Sequence, residues 1–495
     1  MWQLFNLLAP EGFALPELSR QRRHLVLGIC CLSLFIVGLD STIVNVALPD
    51  IGRDFHAPVS GLQWTIDAYT LVLAVLLMLS GSTADRLGRR RVFQVGLALF
   101  TIGSLLCSLA PGLGWLVAFR MLQAVGGSML NPVAMSIITN TFTQPAERAR
   151  AIGVWGGVFG LSMAMGPVIG GALVDSVGWR GVFWVNIPVG IAAILLTALF
   201  VPESKAARAR RPDPIGQFLI VAMLGSLTYG IIEGPSYGWG SARILGFFGV
   251  TVAAVIGFLL YEPRRKEPLV DIRFFRSLPF SGATLTAVSA MSALGGFLFL
   301  ITLYLQDVRD YRPLFAGLFL LPMAAAMAVG APLAGRMLAR SGARAPLLIA
   351  GAGITAGGLL LTRLTSTSAP GYLVLAFLVF GIGMGFVNAP ITNSAVSGMP
   401  RSQAGVASGI ASTSRQVGSS LGVAVMGSVL AANLHGSIEA GFAAATRPGW
   451  WIIAAAGVVV IVLALITTSR RGRASAERTA TLVVGAEDKI PVPAA

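Results

Sequence analysis

The 495-residue chain is 55% hydrophobic and 12% charged, with a mean hydropathy of +0.78, a balance that excludes an ordinary soluble core and points to many membrane crossings. Its formal net charge is +15, from 36 Lys and Arg against 21 Asp and Glu. The placement of those charges, below, argues for a membrane surface and against nucleic acid as their partner. Only Lys205, Lys266 and Lys489 are lysine, and this arginine bias, with abundant Ala and Gly, is that of a GC-rich bacterial coding sequence.

Residues 1–24 begin MWQLFNLLAPEGFALPELSRQRR, without the basic start of a signal peptide and with the arginines after the apolar residues. They are expected to form a cytoplasmic leader, at most a short interfacial helix. Apolar spans then fall at about 25–49, 62–82, 92–110, 115–138, 150–174 and 181–201. Two more lie at about 215–233 and 243–261, and a last six at about 279–305, 314–338, 346–363, 371–396, 405–433 and 449–468. Each is long enough to cross a ~30 Å hydrocarbon core, so the expected fold is an all-α membrane protein with 14 transmembrane helices.

With the N-terminus inside, seven of the 36 basic residues (Arg53, Arg180, Arg243, Arg309, Arg312, Arg363 and Arg447) fall in outer loops and two (Arg120 and Arg415) within spans. The rest lie in cytoplasmic segments. Such a bias predicts both termini in the cytoplasm, with the arginines facing anionic headgroups.

An internal repeat is present. Gly81, Arg86, Gly88 and Arg90 recur as Gly335, Arg340, Gly342 and Arg344, and Ala118, Phe119, Gly127 and Pro132 recur as Ala376, Phe377, Gly385 and Pro390. The expected domains are therefore a six-helix bundle at 25–201, a linker with two extra spans at 202–278, a second six-helix bundle at 279–468 and a cytoplasmic tail at 469–495. Parallel six-helix repeats are the mark of a carrier that rocks one half against the other around a midplane site.

Embedded charge singles out the candidate site. Of the acids, only Asp40 and Asp67 lie clearly within spans, with Asp175 and Glu233 near outer ends. Asp40, in GLDSTIVNVALP, sits roughly 14 Å from the outer end of its span, and Asp67, in LQWTIDAYTLVLA, roughly 9 Å from that of the next. An ionised carboxylate in lipid must be paired, hydrated or protonated. Desolvation favours a neutral acid and a nearby cation favours a carboxylate, so a carboxyl placed there can exchange a proton for a cationic ligand. Asp67 is also shallow enough to be wetted at the headgroup level.

Arg120, in AFRMLQAVGGSMLNP, enters from the outer side with Gln123 one turn further in, and Asp40 is its natural partner. The pair can serve proton exchange or lock two helices. Arg415 and Gln416 lie near the middle of the thirteenth span with no embedded acid in their half. Arg415 either binds backbone carbonyls freed by the surrounding glycines or faces the cavity and binds substrate, as does Asn388 in GIGMGFVNAP.

In the fifth span, GVWGGVFGLSMAMGPVIGGAL, Gly156/Gly160 and Gly166/Gly170 are spaced for close helix approach, and Pro167 predicts a kink. In the loop GSTADRLGRRR, Asp85 beside Arg86 and Arg89 to Arg91 is expected to meet the positive N-terminal end of the thirteenth helix, near Gly405, when an inner gate is shut. No lysine follows a glycine, which excludes a phosphate-cradling GxxxxGK motif and with it an ATP-driven pump. Cys30, Cys31 and Cys107 read as packing residues, His24, His56 and His435 form no cluster, and neither metal ligation nor an enzyme's catalytic set is found. No cofactor is expected; the energy must come from an ion or substrate gradient.

Together these residues resemble the major facilitator superfamily, in particular its fourteen-helix drug:proton antiporter branch of multidrug and quaternary-ammonium exporters, over about residues 20–470. The resemblance rests on Leu39–Pro49, on Gly81–Arg91, on Arg120 with Gln123 and Gly126, and on Gly166, Pro167, Gly170 and Gly171. WRGVFWVNIP, YLQDVRDYRPLFAGLFLLP and GIGMGFVNAP add to it. It implies that Asp40 and Arg120 take part in proton coupling, that the Asp85 loop gates the cytoplasmic side, and that helices 1, 4, 9 and 12 line the cavity. It further implies a monomer in the bacterial inner membrane exporting amphipathic, cationic drugs or secondary metabolites against protons. Asp67, Gln123, Asn388 and Arg415 are the candidate substrate contacts. A narrow carrier of a neutral or anionic metabolite, or a membrane sensor that does not transport, are the alternatives. The second-half loop has Ala339 where Asp85 stands, so the role of Arg86 does not carry over to Arg340.

Overall fold

The computed structural model describes residues 19–205, 213–265, 268–397 and 404–487. The expected interfacial helix of the leader, at residues 1–18, lies outside them. Among the described residues there are helices and no strands, the form a chain in hydrocarbon takes when each backbone group must be satisfied within its own segment.

The first six spans are Arg20–Phe55 (α1), Val59–Leu87 (α2), Arg89–Ser108 (α3), Leu113–Thr141 (α4), Pro145–Val177 (α5) and Gly181–Phe200 (α6). Pro214–Tyr237 (α7) and Ala242–Tyr261 (α8) form the insert. Leu278–Val308 (α9), Pro313–Ser341 (α10), Arg344–Leu361 (α11), Pro370–Val396 (α12), Ala404–Asn433 (α13) and Ile438–Thr467 (α14) follow. Asp213, Ser241 and Ser277 cap α7, α8 and α9 with side-chain oxygens, which satisfies amide groups a helix start leaves open.

Thirteen helices among the described residues are long and apolar enough to cross a membrane. The exception, α13, has 30 residues, but Ser408, Ser412, Ser414, Ser419 and Ser420 dilute its hydropathy. It runs among the others against α9, with Gly418 and Gly422 set on the backbone of Val288 and Ser292, consistent with fourteen spans.

The two copies of the loop motif take the same shape. Gly88 ends α2 at φ +114° and Gly342 ends α10 at φ +76°, the left-handed region that glycine enters without a Cβ clash. Each turn is followed at once by the next helix.

Hydrogen bonds and ion pairs joining the first half directly to the second lie, among the described residues, toward the end away from the termini. Gln306 donates to the Val46 carbonyl at 2.9 Å, Arg53 meets Asp307 at 3.5 Å, and Asp175 accepts from the Leu314 amide at 3.2 Å. Gln63 of α2 donates to the Ala424 and Val423 carbonyls of α13 at 2.7 and 3.3 Å. Toward the terminus-bearing end, Gly153, Gly156, Gly157 and Gly160 of α5 and Gly335 of α10 have open space where a Cβ would stand. Among the described residues, no hydrogen bond or ion pair joins the two halves directly at that end, the side that the charge bias assigns to the cytoplasm.

The insert takes one side of this arrangement. α7 lies along the α2/α13 seam: Gln217 donates to the Val75 carbonyl at 2.7 Å, Glu233 accepts from Trp64 at 2.9 Å, and Ser428 of α13 donates to the Ile231 carbonyl at 2.5 Å. The tail holds a further helix: Arg470–Glu487 (α15) buries Ser475, Ala476 and Thr479, and the Ser475 hydroxyl accepts the Leu278 amide at the start of α9 at 3.0 Å.

Candidate functional site

The embedded charges of the first half converge on one buried network. Asp40 of α1 is fully buried and Arg120 of α4 is 1% exposed. Arg120 Nη1 lies 2.6 Å from Asp40 Oδ2 and 2.6 Å from Gln123 Oε1. Gln123 Nε2 donates to Asp40 Oδ1 at 2.9 Å and to Ser104 Oγ of α3 at 2.7 Å. Asn186 of α6 donates to Asp40 Oδ1 at 3.2 Å and to Ser104 at 3.0 Å. Arg120 Nε reaches the Thr65 carbonyl of α2 at 3.3 Å, and its guanidinium carbon lies 4.1 Å from the centre of the Tyr69 ring.

Five helices thus meet in one network. Close packing makes this possible: Gly103 of α3 sits on the backbone of Gln123, and Gly126 of α4 on that of Phe100, with no room for a Cβ at either. The arrangement has the features that hold a buried ion pair, a short contact and further hydrogen bonds to the remaining polar atoms.

Gln123, a candidate substrate contact by sequence, is fully buried here as a partner of Asp40 and Arg120. Ser104, Asn186 and Tyr69 were not singled out by the sequence. They carry no charge, and a neutral polar residue in a span gives no energetic alarm of the kind that Asp40 does.

Asp67 is fully buried on the α2/α13 seam and is not a wetted headgroup-level residue. Its Oδ1 lies 3.4 Å from Thr70 Oγ1, its Oδ2 has no hydrogen-bond partner, and Ser420 of α13 faces it. One turn away is Gln63, which ties the same seam. Asp67 reaches a ligand only when α2 and α13 part.

In the second half, Arg415 Nη2 donates to Ser412 Oγ at 2.7 Å and Nη1 to Thr392 Oγ1 of α12 at 3.5 Å. Its partners are hydroxyls, not the backbone carbonyls that its structural reading required. Asn388, one turn before Thr392, is exposed.

The glycines from Gly166 to Gly171 pack on both sides. Gly166 and Gly170 set α5 against Thr42 and Ile43 of α1; a Cβ on Gly171 would collide with the backbone of Pro313 and Leu314, and one on Gly317 with the Pro167 carbonyl. Gly156 and Gly160, the other expected close-approach pair, are exposed and have open space where a Cβ would stand.

At the loop, Asp85 accepts from Arg89 at 2.8 and 3.1 Å; its expected meeting with the start of α13 near Gly405 falls against residues 398–403, which lie outside the described residues. Arg90 Nη2 donates to the Ala198 carbonyl at 2.6 Å, and Glu203 accepts the Arg90 and Ser204 amides at 3.1 and 3.0 Å. Glu203 thus caps the start of α3 from beyond α6 and lies against Gly88. Glu203→Ala is expected to lower stability by about 1 kcal/mol, seen as a lower thermal midpoint in detergent, and Glu203→Gln, which keeps an acceptor oxygen, by less.

The sequence profile of the Major Facilitator Superfamily matches residues 30–423. The multidrug resistance protein Stp of Mycobacterium tuberculosis is 39% identical over 408 residues, covering 82% of this chain and 76% of that protein. The tetracenomycin C resistance and export protein of Streptomyces glaucescens is 39% identical over 444 residues, covering 89% and 82%. The methylenomycin A resistance protein of Bacillus subtilis is 32% identical over 420 residues, covering 84% and 90%. Among solved structures, a bacterial homolog of the human lysosomal transporter Spinster, inward-facing and unoccupied, superposes with a TM-score of 0.63 at 19% identity, covering 96% of this chain and all of that one.

Proposed function

The chain belongs to the Major Facilitator Superfamily, and from that premise we propose that it is a proton-coupled antiporter that exports amphipathic, positively charged drugs or secondary metabolites by alternating access. Relatives named for multidrug resistance and for resistance and export cover more than four-fifths of this chain, which supports the outward direction. We place the protein in a bacterial inner membrane with both termini cytoplasmic, working as a monomer without a cofactor.

The observation that carries the coupling is the buried Asp40–Arg120 pair. A proton on Asp40 Oδ2 removes the charge that holds Arg120. The guanidinium, which cannot discharge, then turns to Gln123, the Thr65 carbonyl and the Tyr69 face. Asp40 in turn is left to Gln123 and Asn186. Protonation at one carboxyl therefore loosens α1 from α4 inside a bundle whose other contacts persist. Because α1 carries Thr42 and Ile43 against α5, and α5 carries Gly171 against α10, the change reaches the seam that closes the outer end.

Positive charge on the cargo rests on Asp67, which waits in the other seam with one oxygen unsatisfied. The Asp85 loop supplies the inner gate in the opposite state. A carrier for an anionic or neutral metabolite is the second reading, favoured by Arg415.

The test is tolerance in a drug-sensitive bacterial host. Expression should raise the inhibitory concentration of ethidium several-fold, and an uncoupler should remove the gain. Unchanged tolerance with the protein present in the membrane counts against the export reading.

A further inference from the structure

Arg415 is the embedded cation that the coupling network leaves unused. It stands on α13 about 16 Å from the Ala404 end at ~1.5 Å per residue. Its acceptors, Ser412 and Thr392, are neutral hydroxyls, and it takes part in none of the ion pairs among the described residues. The acids of the second bundle all stand at the end away from the termini: Asp307 in the last turn of α9, Asp310 in the connection to α10 and Glu439 in the first turn of α14.

A permanently charged guanidinium at such a depth calls for a carboxylate, and none of the described residues brings one. Arg415 is partly buried, and its neighbours on α12 are open. Thr392 and Asn388 are exposed on one face of α12, while the other faces of that helix pack through Gly381 on Met323, Gly385 on Gly330 and Gly383 on Ile354. Polar side chains on that free face suit a polar surrounding and not lipid. Guanidinium, hydroxyl and carboxamide therefore share one face of the second half, and no residue of the first half pairs with the guanidinium among the described residues.

We propose that Arg415, with Thr392 and Asn388, is a subsite for an acidic group of the cargo: a carboxylate, phenolate or enolate received by the guanidinium fork. This rests on the reading of the protein as an exporter and deepens it. The subsite takes the end of the cargo opposite any positive charge, so the second half selects amphipaths that carry an acidic oxygen.

The matched probes are 1-hydroxy-2-naphthoate and its methyl ester, which differ in the charged oxygen, measured by equilibrium binding to the full-length protein in nanodiscs. The wild type should bind the acid about tenfold or more tightly than the ester. Arg415→Gln should bring the ratio to about one, Arg415→Lys should keep part of it, and Thr392→Val should lower it while leaving the guanidinium in place. A wild-type ratio near one, or a preference that survives Arg415→Gln, overturns the subsite. Should Arg415→Gln fail to fold, the wild-type ratio and the other two variants still decide. Ethidium flux in wild-type vesicles separates the two readings: flux with a ratio of one removes the subsite alone, and an acid preference without any flux removes the exporter alone.

Discussion

Asp40→Asn is expected to reduce gradient-driven efflux by about 100-fold or more, the loss that follows when the cycle is deprived of ~2.7 kcal/mol at its coupling step. The carboxylate is the only acid in the network of Arg120, Gln123, Asn186 and Ser104. The single change also leaves Arg120 buried without its counter-charge, which costs about 3–5 kcal/mol of stability. A companion variant distinguishes the two effects. Asp40→Asn with Arg120→Gln removes both charges and leaves amides that can hydrogen-bond each other, so its thermal midpoint in detergent should return toward the wild type. Its gradient-driven efflux should stay absent. If the double variant transports, the pair is a structural lock and coupling lies elsewhere.

The second large effect is expected at the outer seam. Gly171→Leu places side-chain atoms where the backbone of Pro313 and Leu314 now lies, and a backbone cannot yield as a flexible side chain does. The clash exists only when α5 and α10 are closed on each other, so the substitution penalises the closed outer end and leaves the parted one untouched. Turnover should fall by at least ~50-fold, equivalent to about 2.3 kcal/mol against closure, with normal amounts of protein in the membrane. A cysteine placed at Leu314 should become labelled by a membrane-impermeant thiol reagent applied from outside, and do so faster than in a Gly171 background. Equal labelling in both, with turnover lost, would mean the substitution damages folding and not the seam.

Much of this was legible in the sequence for one reason: lipid makes charge and length informative. Twenty-odd apolar residues in a row are a helix whatever their neighbours do, and Gly88 and Gly342, each closing a helix with a positive φ, stood out as a repeat before any geometry was known. Asp40 and Arg120 drew attention because an embedded charge must find a partner. What stayed hidden was neutral or relational. Ser104 and Asn186 look like any polar residue in a span until the fold brings α3 and α6 to Asp40. Spacing likewise makes Gly156/Gly160 and Gly166/Gly170 equivalent; only the fold, which brings α1 against the second pair and not the first, separates them. Asp67 looked shallow enough to be wet, since depth along a helix does not say whether another helix, here α13, covers the same face. The packing of α15 on α9 rests on small residues, Ser475, Ala476 and Thr479, which carry little hydropathy signal in a basic segment.

The central claim is that a proton on Asp40 drives cargo across. Purified protein in vesicles with a trapped pH-sensitive dye, given ethidium and an imposed pH gradient, measures cargo and proton movement together. The account predicts ethidium accumulation against its own gradient, with protons moving the other way, and the loss of both in Asp40→Asn. Ethidium movement that is the same with and without the pH gradient, or that persists in Asp40→Asn, would contradict it.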